Sequence, residues 1–202
     1  MGIDRLAGRK AAFLDRDGVL NRNVFNPATG AYESPHRPED FALLPGVMTA
    51  LAQLRARNYL LFLVSNQPSY AKAKCSLAAL HDVHARLQDS LAAAAIDFAG
   101  FYYCYHHPDG IVAGYSGACR CRKPSPYFLL EAARDFDLTL ADSWMIGDRA
   151  SDVFCGRAAG VRTIRVAPDH PVAVANDVTG DFAARDLAHA AALIAEHGTS
   201  DG

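Results

Sequence analysis

Three aspartates have the spacing and the surroundings of metal ligands. Asp15 and Asp17 directly follow an apolar stretch at residues 11–14, and Asp148 closely follows another at residues 144–146. Two carboxylates this close repel each other unless a cation or hydrogen bonds separate their roles. Mg²⁺ prefers oxygen ligands in octahedral geometry and therefore suits such a set. The alternative is a surface turn with incidental acids, which the apolar residues on both sides of the pair disfavour.

Basic and hydroxyl side chains elsewhere could handle a phosphoryl group. A carboxylate that attacks phosphorus needs a cation and hydrogen-bond donors around the transferring oxygens. Ser65 and the backbone amides near it could donate, and Lys123 supplies a compact positive charge. Arg122 or Arg149 could hold a second anionic group through paired hydrogen bonds. The plain alternative for Arg122 and Lys123 is an ordinary solvated pair of bases.

A cluster of cysteine and histidine residues predicts a second metal site. The chain has 5 cysteines, too few and too unevenly placed for a disulfide scaffold. Cys104-x-His106, a loop of twelve residues and Cys119-x-Cys121 offer three thiolates and one imidazole, enough for a tetrahedral zinc ion. Such a closed site leaves no position for water, so we expect a structural zinc that holds the loop at residues 104–121. His107 is an alternative ligand.

The elements that must position these residues alternate between strands and helices. Strands are predicted at residues 11–14, 60–64, 98–103, 144–146 and 162–166. Helices are predicted at residues 46–57, after Ser76 as N-cap, from the N-cap Ser125 and Pro126 to 136, up to Ala159 before a stop at Gly160, and at 182–197. This alternation predicts a parallel sheet with helices on both faces, whose ligands bind beyond the carboxyl ends of the strands. The polar residues that follow these strands are Asp15, Asp17, Ser65, Asn66, Cys104, His106 and Asp148.

Composition and charge exclude several classes of protein. The 202 residues are 50% hydrophobic and 21% charged, which fits one globular domain over residues 1–202 and excludes a disordered or fibrous chain. A net charge of −2 gives no global positive field for nucleic acid or anionic lipid. No apolar run approaches the ~18 residues of a membrane span, and residues 1–10 carry no apolar signal segment. We expect a monomeric cytoplasmic protein without nucleic-acid or membrane partners, and a frayed tail at residues 198–202.

Four motifs, in this order, resemble those of the haloacid dehalogenase superfamily of phosphohydrolases. They are FLDRDGVLN (13–21), VSNQ (64–67), RKP (122–124) and IGDRASD (146–152). The resemblance implies a Rossmann-like α/β fold and a Mg²⁺-dependent phosphomonoester hydrolase. It implies that Asp15 becomes an aspartyl-phosphate, and that Asp17 protonates the leaving alkoxide and then activates water.

The same resemblance implies roles for further residues. Mg²⁺ would be held by Asp15, Asp148 and the backbone carbonyl of Asp17. Ser65 and Lys123 would steady the phosphoryl group, and Asp152 would support Asp148 or Arg149. The residues expected to bind substrate are Ser65, Asn66, Arg122, Lys123 and Arg149.

The zinc loop is similar to that of two groups of phosphatases within this superfamily. One group acts on D-glycero-D-manno-heptose 1,7-bisphosphate and the other on histidinol phosphate. Both are largely capless, and the stretches at residues 18–45 and 67–122 are likewise too short or too occupied for a large lid. We therefore expect a small sugar phosphate as substrate, with removal of the 7-phosphate in heptose biosynthesis for lipopolysaccharide or capsule. Histidinol phosphate is the alternative.

Two departures from the family pattern affect the substrate pocket. The chain has Pro68-Ser69-Tyr70-Ala71 where the family has a turn with Ser-Gly, and proline removes a backbone N–H and stiffens the loop. Arg149 stands where the resemblance leads us to expect lysine. The altered turn favours, as an alternative, a catalytically inactive binding module. A phospho-signalling receiver domain is a further alternative, and Asp17 argues against it because receivers have no acid two residues after the phospho-acceptor.

Overall fold

The computed structural model describes residues 8–170 and 178–198. Its strands, in chain order, are β1 (Lys10–Leu14), β2 (Val24–Asn26), β3 (Ala31–Glu33), β4 (Tyr59–Asn66), β5 (Gly100–Cys104), β6 (Trp144–Gly147), β7 (Arg162–Val166) and β8 (Phe182–Ala184). Its helices are α1 (Val47–Ala56), α2 (Leu77–Ala93), α3 (Tyr127–Phe136), α4 (Ala150–Ala159) and α5 (Leu187–His197). Residues 199–202 of the predicted frayed tail lie outside the described residues, as do residues 1–7 of the stretch that lacks a predicted secretory signal.

Six of the strands form one parallel sheet in the order β5-β4-β1-β6-β7-β8. Helical crossovers between parallel strands bring all the carboxyl ends to the same edge of the sheet. The four strands that precede the predicted site residues, β5, β4, β1 and β6, are consecutive neighbours in this order. The sheet therefore brings together side chains that are more than a hundred residues apart in sequence.

Helices cover both faces of the sheet, as predicted. Alternate residues of a strand point to opposite faces, and those of β1 divide accordingly between two buried clusters. Ala12 and Leu14 belong to the cluster that contains the buried residues of α1 and α5. Ala11 and Phe13 belong to the cluster that contains the buried residues of α3 and, from α4, Cys155 and Ala159. β1 is thus central to the core, and the residues that follow it rest on a rigid strand.

The predicted helix at residues 182–197 is wrong in its first part. Phe182–Ala184 forms β8, which pairs with β7 at the sheet edge. The helix begins at Leu187. Asp186 is its N-cap, and the side chain of Asp186 accepts a hydrogen bond from His189 N at 2.7 Å. The helix predicted from Ser125 also begins later, at Tyr127. The Ser76 cap is present, since its hydroxyl accepts from Ala79 N at 3.1 Å.

A short hairpin that the sequence did not predict stands between β1 and α1. β2 and β3 pair antiparallel with each other and with no strand of the main sheet. In the described part of the chain no large lid domain is inserted, in agreement with the predicted capless architecture. None of the described helices is both long and apolar enough to cross a bilayer.

Candidate active site and metal centres

The first candidate metal centre consists of buried carboxylates beyond the ends of β1 and β6. Asp15 and Asp148 follow these neighbouring strands, and Asp15 N donates to Ile146 O at 3.0 Å. Asp152 joins them from the first turn of α4, and the three carboxylates offer oxygens within 4.8 Å of one another. Gly147 permits this approach, since a Cβ on it would lie 2.3 Å from Asp152 Cβ.

Asp148 carries the clearest mark of a cation site. Its Oδ1 is buried and accepts no hydrogen bond from the described residues, and Arg149 Nε lies 3.9 Å away. Burial, together with the charges of Asp15 and Asp152, raises the pKa of Asp148 to about 8. Gly18 leaves room for this carboxylate, because a Cβ at Gly18 would lie 2.5 Å from Asp148 Oδ2. An unpaired buried oxygen among acids fits a hard divalent cation such as Mg²⁺.

We expect Asp148→Asn to remove a pH-dependent instability from the metal-free protein. The carboxyl titrates near pH ~4 in the unfolded chain, whereas burial raises its folded pKa to about 8. The folded state therefore holds the extra proton between these values, and stability declines as the pH rises through that window. Above pH ~8 the free energy of unfolding of the variant should exceed that of the wild type by about 3 kcal/mol, and below pH ~4 the two proteins should be equally stable.

Thermal unfolding in EDTA across this pH range measures the difference. Adding Mg²⁺ should then stabilise the wild type and leave the variant unchanged. If the stability of the two proteins had the same pH dependence, the pKa of Asp148 would not be raised by folding, and this prediction would be wrong.

Lys123 is the cation that faces these acids. Its Nζ lies 3.0 Å from Asp15 Oδ1 and 2.7 Å from Asp152 Oδ1, and it donates to Val64 O at 2.7 Å. Burial acts to lower the pKa of Lys123, but the two carboxylates outweigh it and the pKa is raised. Lys123 is therefore charged, and Asp152 pairs with it directly rather than acting only through Asp148 or Arg149.

Asn66 joins the end of β4 to the backbone of Lys123. Its amide group donates to Lys123 O and accepts from Lys123 N, both at 3.1 Å. Asn66 still lines the cavity, but these two bonds occupy its side chain with holding the backbone of Lys123. These contacts position Lys123 beside the cavity.

Asp17 is surrounded by hydrogen-bond donors. Arg16 contacts both of its carboxylate oxygens at 3.0–3.2 Å, Asn21 donates to Oδ1 at 2.9 Å, and Gln67 donates to Oδ2 at 2.6 Å. Burial acts to raise the pKa of Asp17, but the charge of Arg16 and the hydrogen bonds outweigh it and the pKa is lowered. Asp17 is therefore ionised here. Gln67 also donates to Ser65 Oγ at 3.0 Å, which ties the two motifs together.

One cavity connects most of the predicted site residues to solvent. It is lined by Asp15, Asp17, Asn66, Arg122, Lys123 and Arg149. Ser65 is buried and is not among the lining residues. The opposite wall, formed by Tyr32 and Glu33 of β3 and by Ser34 directly after it, was not predicted from the sequence. Nor were Arg16 and Gln67, although both lie inside the first two motifs.

The second candidate metal centre has the size of a zinc site. The ligand atoms of Cys104, His106, Cys119 and Cys121 lie within 4.8 Å of one another. The Cys104–Cys119 and Cys119–Cys121 sulfur separations are 3.5 and 3.7 Å, and four sulfurs bound tetrahedrally to zinc would be about 3.8 Å apart. Burial acts to raise the pKa of Cys119, but backbone N–H groups that donate to its sulfur outweigh it and the pKa is lowered. His107 lies outside this cluster, since its Nδ1 accepts from Asp109 N at 3.0 Å.

The turn that departs from the family pattern packs against the zinc loop. Ala71 O accepts from the amides of Ile111 and Val112 at 2.7 and 3.1 Å. The Tyr70 ring meets Tyr115 edge to face, with centroids 4.8 Å apart. Tyr70 and Ala71, which depart from the family pattern, therefore pack against the zinc loop. The altered turn leaves the cavity open.

Comparisons with known proteins agree with this geometry. The HAD-hydrolase-like family model matches residues 120–197, which include the third and fourth motifs. The D-glycero-beta-D-manno-heptose-1,7-bisphosphate 7-phosphatase of Yersinia pestis is 33% identical over 179 residues, which cover 88% of this chain and 91% of that protein. The chain belongs to the haloacid dehalogenase-like (HAD) family. The Vibrio cholerae protein of the same name is 38% identical over 156 residues, covering 77% of this HAD chain and 79% of that protein.

Solved structures confirm the predicted HAD fold. A HAD-like phosphatase from Mesorhizobium loti has a TM-score of 0.77 at 25% identity and covers 100% of this chain and 93% of its own. A D,D-heptose 1,7-bisphosphate phosphatase from B. bronchiseptica, complexed with magnesium and phosphate, has a TM-score of 0.74 at 26% identity and covers 94% of this chain and 99% of its own. The HAD protein is a phosphatase, and the receiver-domain alternative is wrong.

Proposed function

We propose that this HAD phosphatase removes the 7-phosphate of D-glycero-D-manno-heptose 1,7-bisphosphate, in heptose biosynthesis for lipopolysaccharide or capsule. The observation that carries the proposal is the match to relatives of that name over most of their length, combined with the convergence of all four motifs on one open cavity. We further infer a single domain that acts as a cytoplasmic monomer, with structural zinc in the 104–121 loop and no nucleic-acid or membrane partner.

Asp15 is the nucleophile in this proposal. Arg16 N donates to its Oδ1 at 2.7 Å and Lys123 Nζ lies 3.0 Å from the same oxygen, so two donors fix the orientation of the carboxylate. Asp15, Asp148 and the backbone carbonyl of Asp17 would hold Mg²⁺, which supplies charge neutralisation for the phosphoryl group when bound. The charge of Lys123 adds to this from within the buried site.

Asp17 moves the proton in both halves of the reaction. A carboxylate oxygen of Asp15 bonds to phosphorus while the bond from phosphorus to the sugar oxygen breaks, and Asp17 gives its proton to that oxygen. In the second half, water gives a proton to Asp17 and attacks phosphorus, and the bond to Asp15 breaks as phosphate leaves. Without substrate Asp17 is ionised, which is the state that accepts a proton from water in the second half of the reaction. The first half needs protonated Asp17, and the negative charge of the bound phosphate favours that protonation.

The cavity also has charge for the second phosphate of the substrate. Arg122 and Arg149 line it without pairing to Asp15. Arg122 is held by its bond to His106 O at 3.2 Å, and Arg149 is exposed at the N-terminus of α4. Guanidinium groups suit bidentate binding of phosphate. Ser65 is buried and accepts a hydrogen bond from Gln67, so it would support the phosphoryl site from the protein interior.

A side-by-side assay tests the substrate. With heptose 1,7-bisphosphate and Mg²⁺ we expect one equivalent of phosphate and an intact 1-phosphate, followed by phosphorus NMR. The kcat/KM for this sugar should exceed that for histidinol phosphate by at least about a hundredfold, because the latter leaves the second anion site unpaired. Faster turnover of histidinol phosphate, or loss of the 1-phosphate, would overturn the assignment. 4-Nitrophenyl phosphate serves as the control that the preparation is active.

A further inference from the structure

The hairpin that forms one wall of the cavity cannot be held by its own strands. β2 and β3 contain three residues each, pair only with each other and are largely exposed. A two-stranded hairpin of this kind is marginally stable in water. Its position over the cavity must therefore come from contacts with the rest of the molecule.

One set of contacts joins the hairpin to the turn after β4. Lys74 Nζ lies 2.6 Å from Glu33 Oε1, and His36 Nε2 lies 2.8 Å from Ser69 Oγ. These contacts hold the end of the hairpin that follows β3. The chain that enters β2 is joined at Arg22, whose N donates to Ala42 O at 3.0 Å, which leaves Asn23 and the ring of Tyr32 to be held from elsewhere.

A second set comes from the segment after β7, on the other side of the cavity. Asp169 accepts from Asn23 N at 2.8 Å through Oδ2 and from Asn23 Nδ2 at 3.0 Å through Oδ1. His170 Nδ1 lies 2.7 Å from Asp169 Oδ1. The His170 ring stacks on Tyr32 with centroids 4.4 Å apart and planes 21° apart. The side chains of Asp169 and His170 are 9% and 12% exposed, although Asp169 as a whole residue is exposed.

We propose that Asp169 and His170 are positioning residues, which set the hairpin wall against the part of the substrate that carries the leaving group. Asn23 comes one residue before β2 and Tyr32 lies at the middle of β3. Asp169 and His170 therefore contact the hairpin at both of its strands. Tyr32 lines the cavity directly. Asp169 and His170 are not among the residues that line it, so they act through Asn23 and Tyr32.

The geometry of the phosphoryl site should not depend on the contacts that Asp169 and His170 make with the hairpin. Asp15 and Asp148 directly follow β1 and β6, and Lys123 follows the zinc loop. None of the three is hydrogen-bonded or ion-paired to Asp169 or His170 in the described part of the chain. Loosening the hairpin should therefore weaken binding of the ester portion and spare binding of inorganic phosphate. This inference uses the phosphatase activity and does not depend on which sugar is the substrate.

The test compares His170→Ala, Asp169→Ala and His170→Phe with the wild type. 4-Nitrophenyl phosphate is the substrate and inorganic phosphate the competitive inhibitor. We expect KM for the ester to rise about fivefold in both alanine variants, the scale set by one stacked aromatic pair, while the inhibition constant of phosphate stays within about twofold. His170→Phe keeps the stacking and should restore KM. His81→Ala, on the exposed face of α2, is the matched control.

Hydrogen exchange of the hairpin supplies a readout that needs no substrate. Amides at residues 23–33 should exchange about tenfold faster in both alanine variants, since local opening there becomes easier, and at the wild-type rate in His170→Phe. Unchanged hairpin exchange would overturn the proposal. So would faster exchange with an unchanged KM, an equal rise in the phosphate inhibition constant, or failure of phenylalanine to restore KM.

Discussion

Asp15→Asn is expected to yield a folded protein that releases phosphate at least about ten thousandfold more slowly than the wild type, since the amide cannot attack phosphorus. The substitution keeps the shape of the side chain and an oxygen that can accept from Arg16 N. It also removes one of three clustered acids, and the charge of Asp15 is one of the two that act together with burial to raise the pKa of Asp148. The loss of activity should therefore come without a loss of stability.

Phosphate release under excess Mg²⁺ and thermal unfolding together measure this result. Asp82→Asn, an exposed aspartate on α2, is the matched control and should keep full activity. If Asp15→Asn kept more than a few per cent of the wild-type rate, another residue would have to be the nucleophile. If the Asp15→Asn protein unfolded, the charge of buried Lys123 would be compensated mainly by Asp15 and not by its second partner, Asp152.

Removal of zinc is expected to have the second largest effect, because it acts on both stability and catalysis. The Cys/His cluster lies at both ends of the loop that leads directly into Arg122 and Lys123. Structural zinc sites contribute folding energy outright. Cys119→Ser should lower the unfolding temperature by about 10 °C or more for a domain of this size. It should lower the phosphatase rate at least about a hundredfold, because Lys123 loses its fixed position.

Metal analysis of the purified protein should find one zinc per chain in the wild type and less in the variant. A zinc-selective chelator in excess Mg²⁺ should reproduce the loss in the wild type. Cys75→Ser is the control, since Cys75 is half-buried outside the cluster. Full activity and an unchanged unfolding temperature without zinc would contradict a structural role for the loop.

The sequence was most informative about the central strands and the residues that follow them. Dense apolar runs such as LLFLV leave little choice but a buried strand, and the polar residues after them then fall at one edge of the sheet. This reasoning predicted that Asp15 and Asp148 share one site, whereas Lys123 follows no strand and was predicted from the chemistry of phosphoryl transfer and from the family resemblance. The ligand set of the zinc loop likewise followed from types and spacing, although His106 and His107 were separated only by the structure.

Features that depend on tertiary contacts could not be predicted in the same way. Residues 182–184 are apolar and close to the helical pattern that follows, so the sequence predicted a helix there, and only pairing with β7 makes them a strand. The hairpin has short exposed strands and no hydrophobic period, so nothing local marks it. Arg16 resembles a surface base in the sequence, yet it is 1% exposed and paired with Asp17. Its burial became visible only once β4 and β5 were placed beside β1.

Covalent trapping is the most direct test of the central claim, which is that Asp15 accepts the phosphoryl group. Asp17→Asn should still transfer phosphate from 4-nitrophenyl phosphate, because this leaving group needs no proton, but should hydrolyse the intermediate slowly. Acid quenching within the first turnover, followed by peptide mass spectrometry, should find one phosphoryl group on Asp15. Phosphate on any other residue, or release of nitrophenol and phosphate together without labelled protein, would contradict the account.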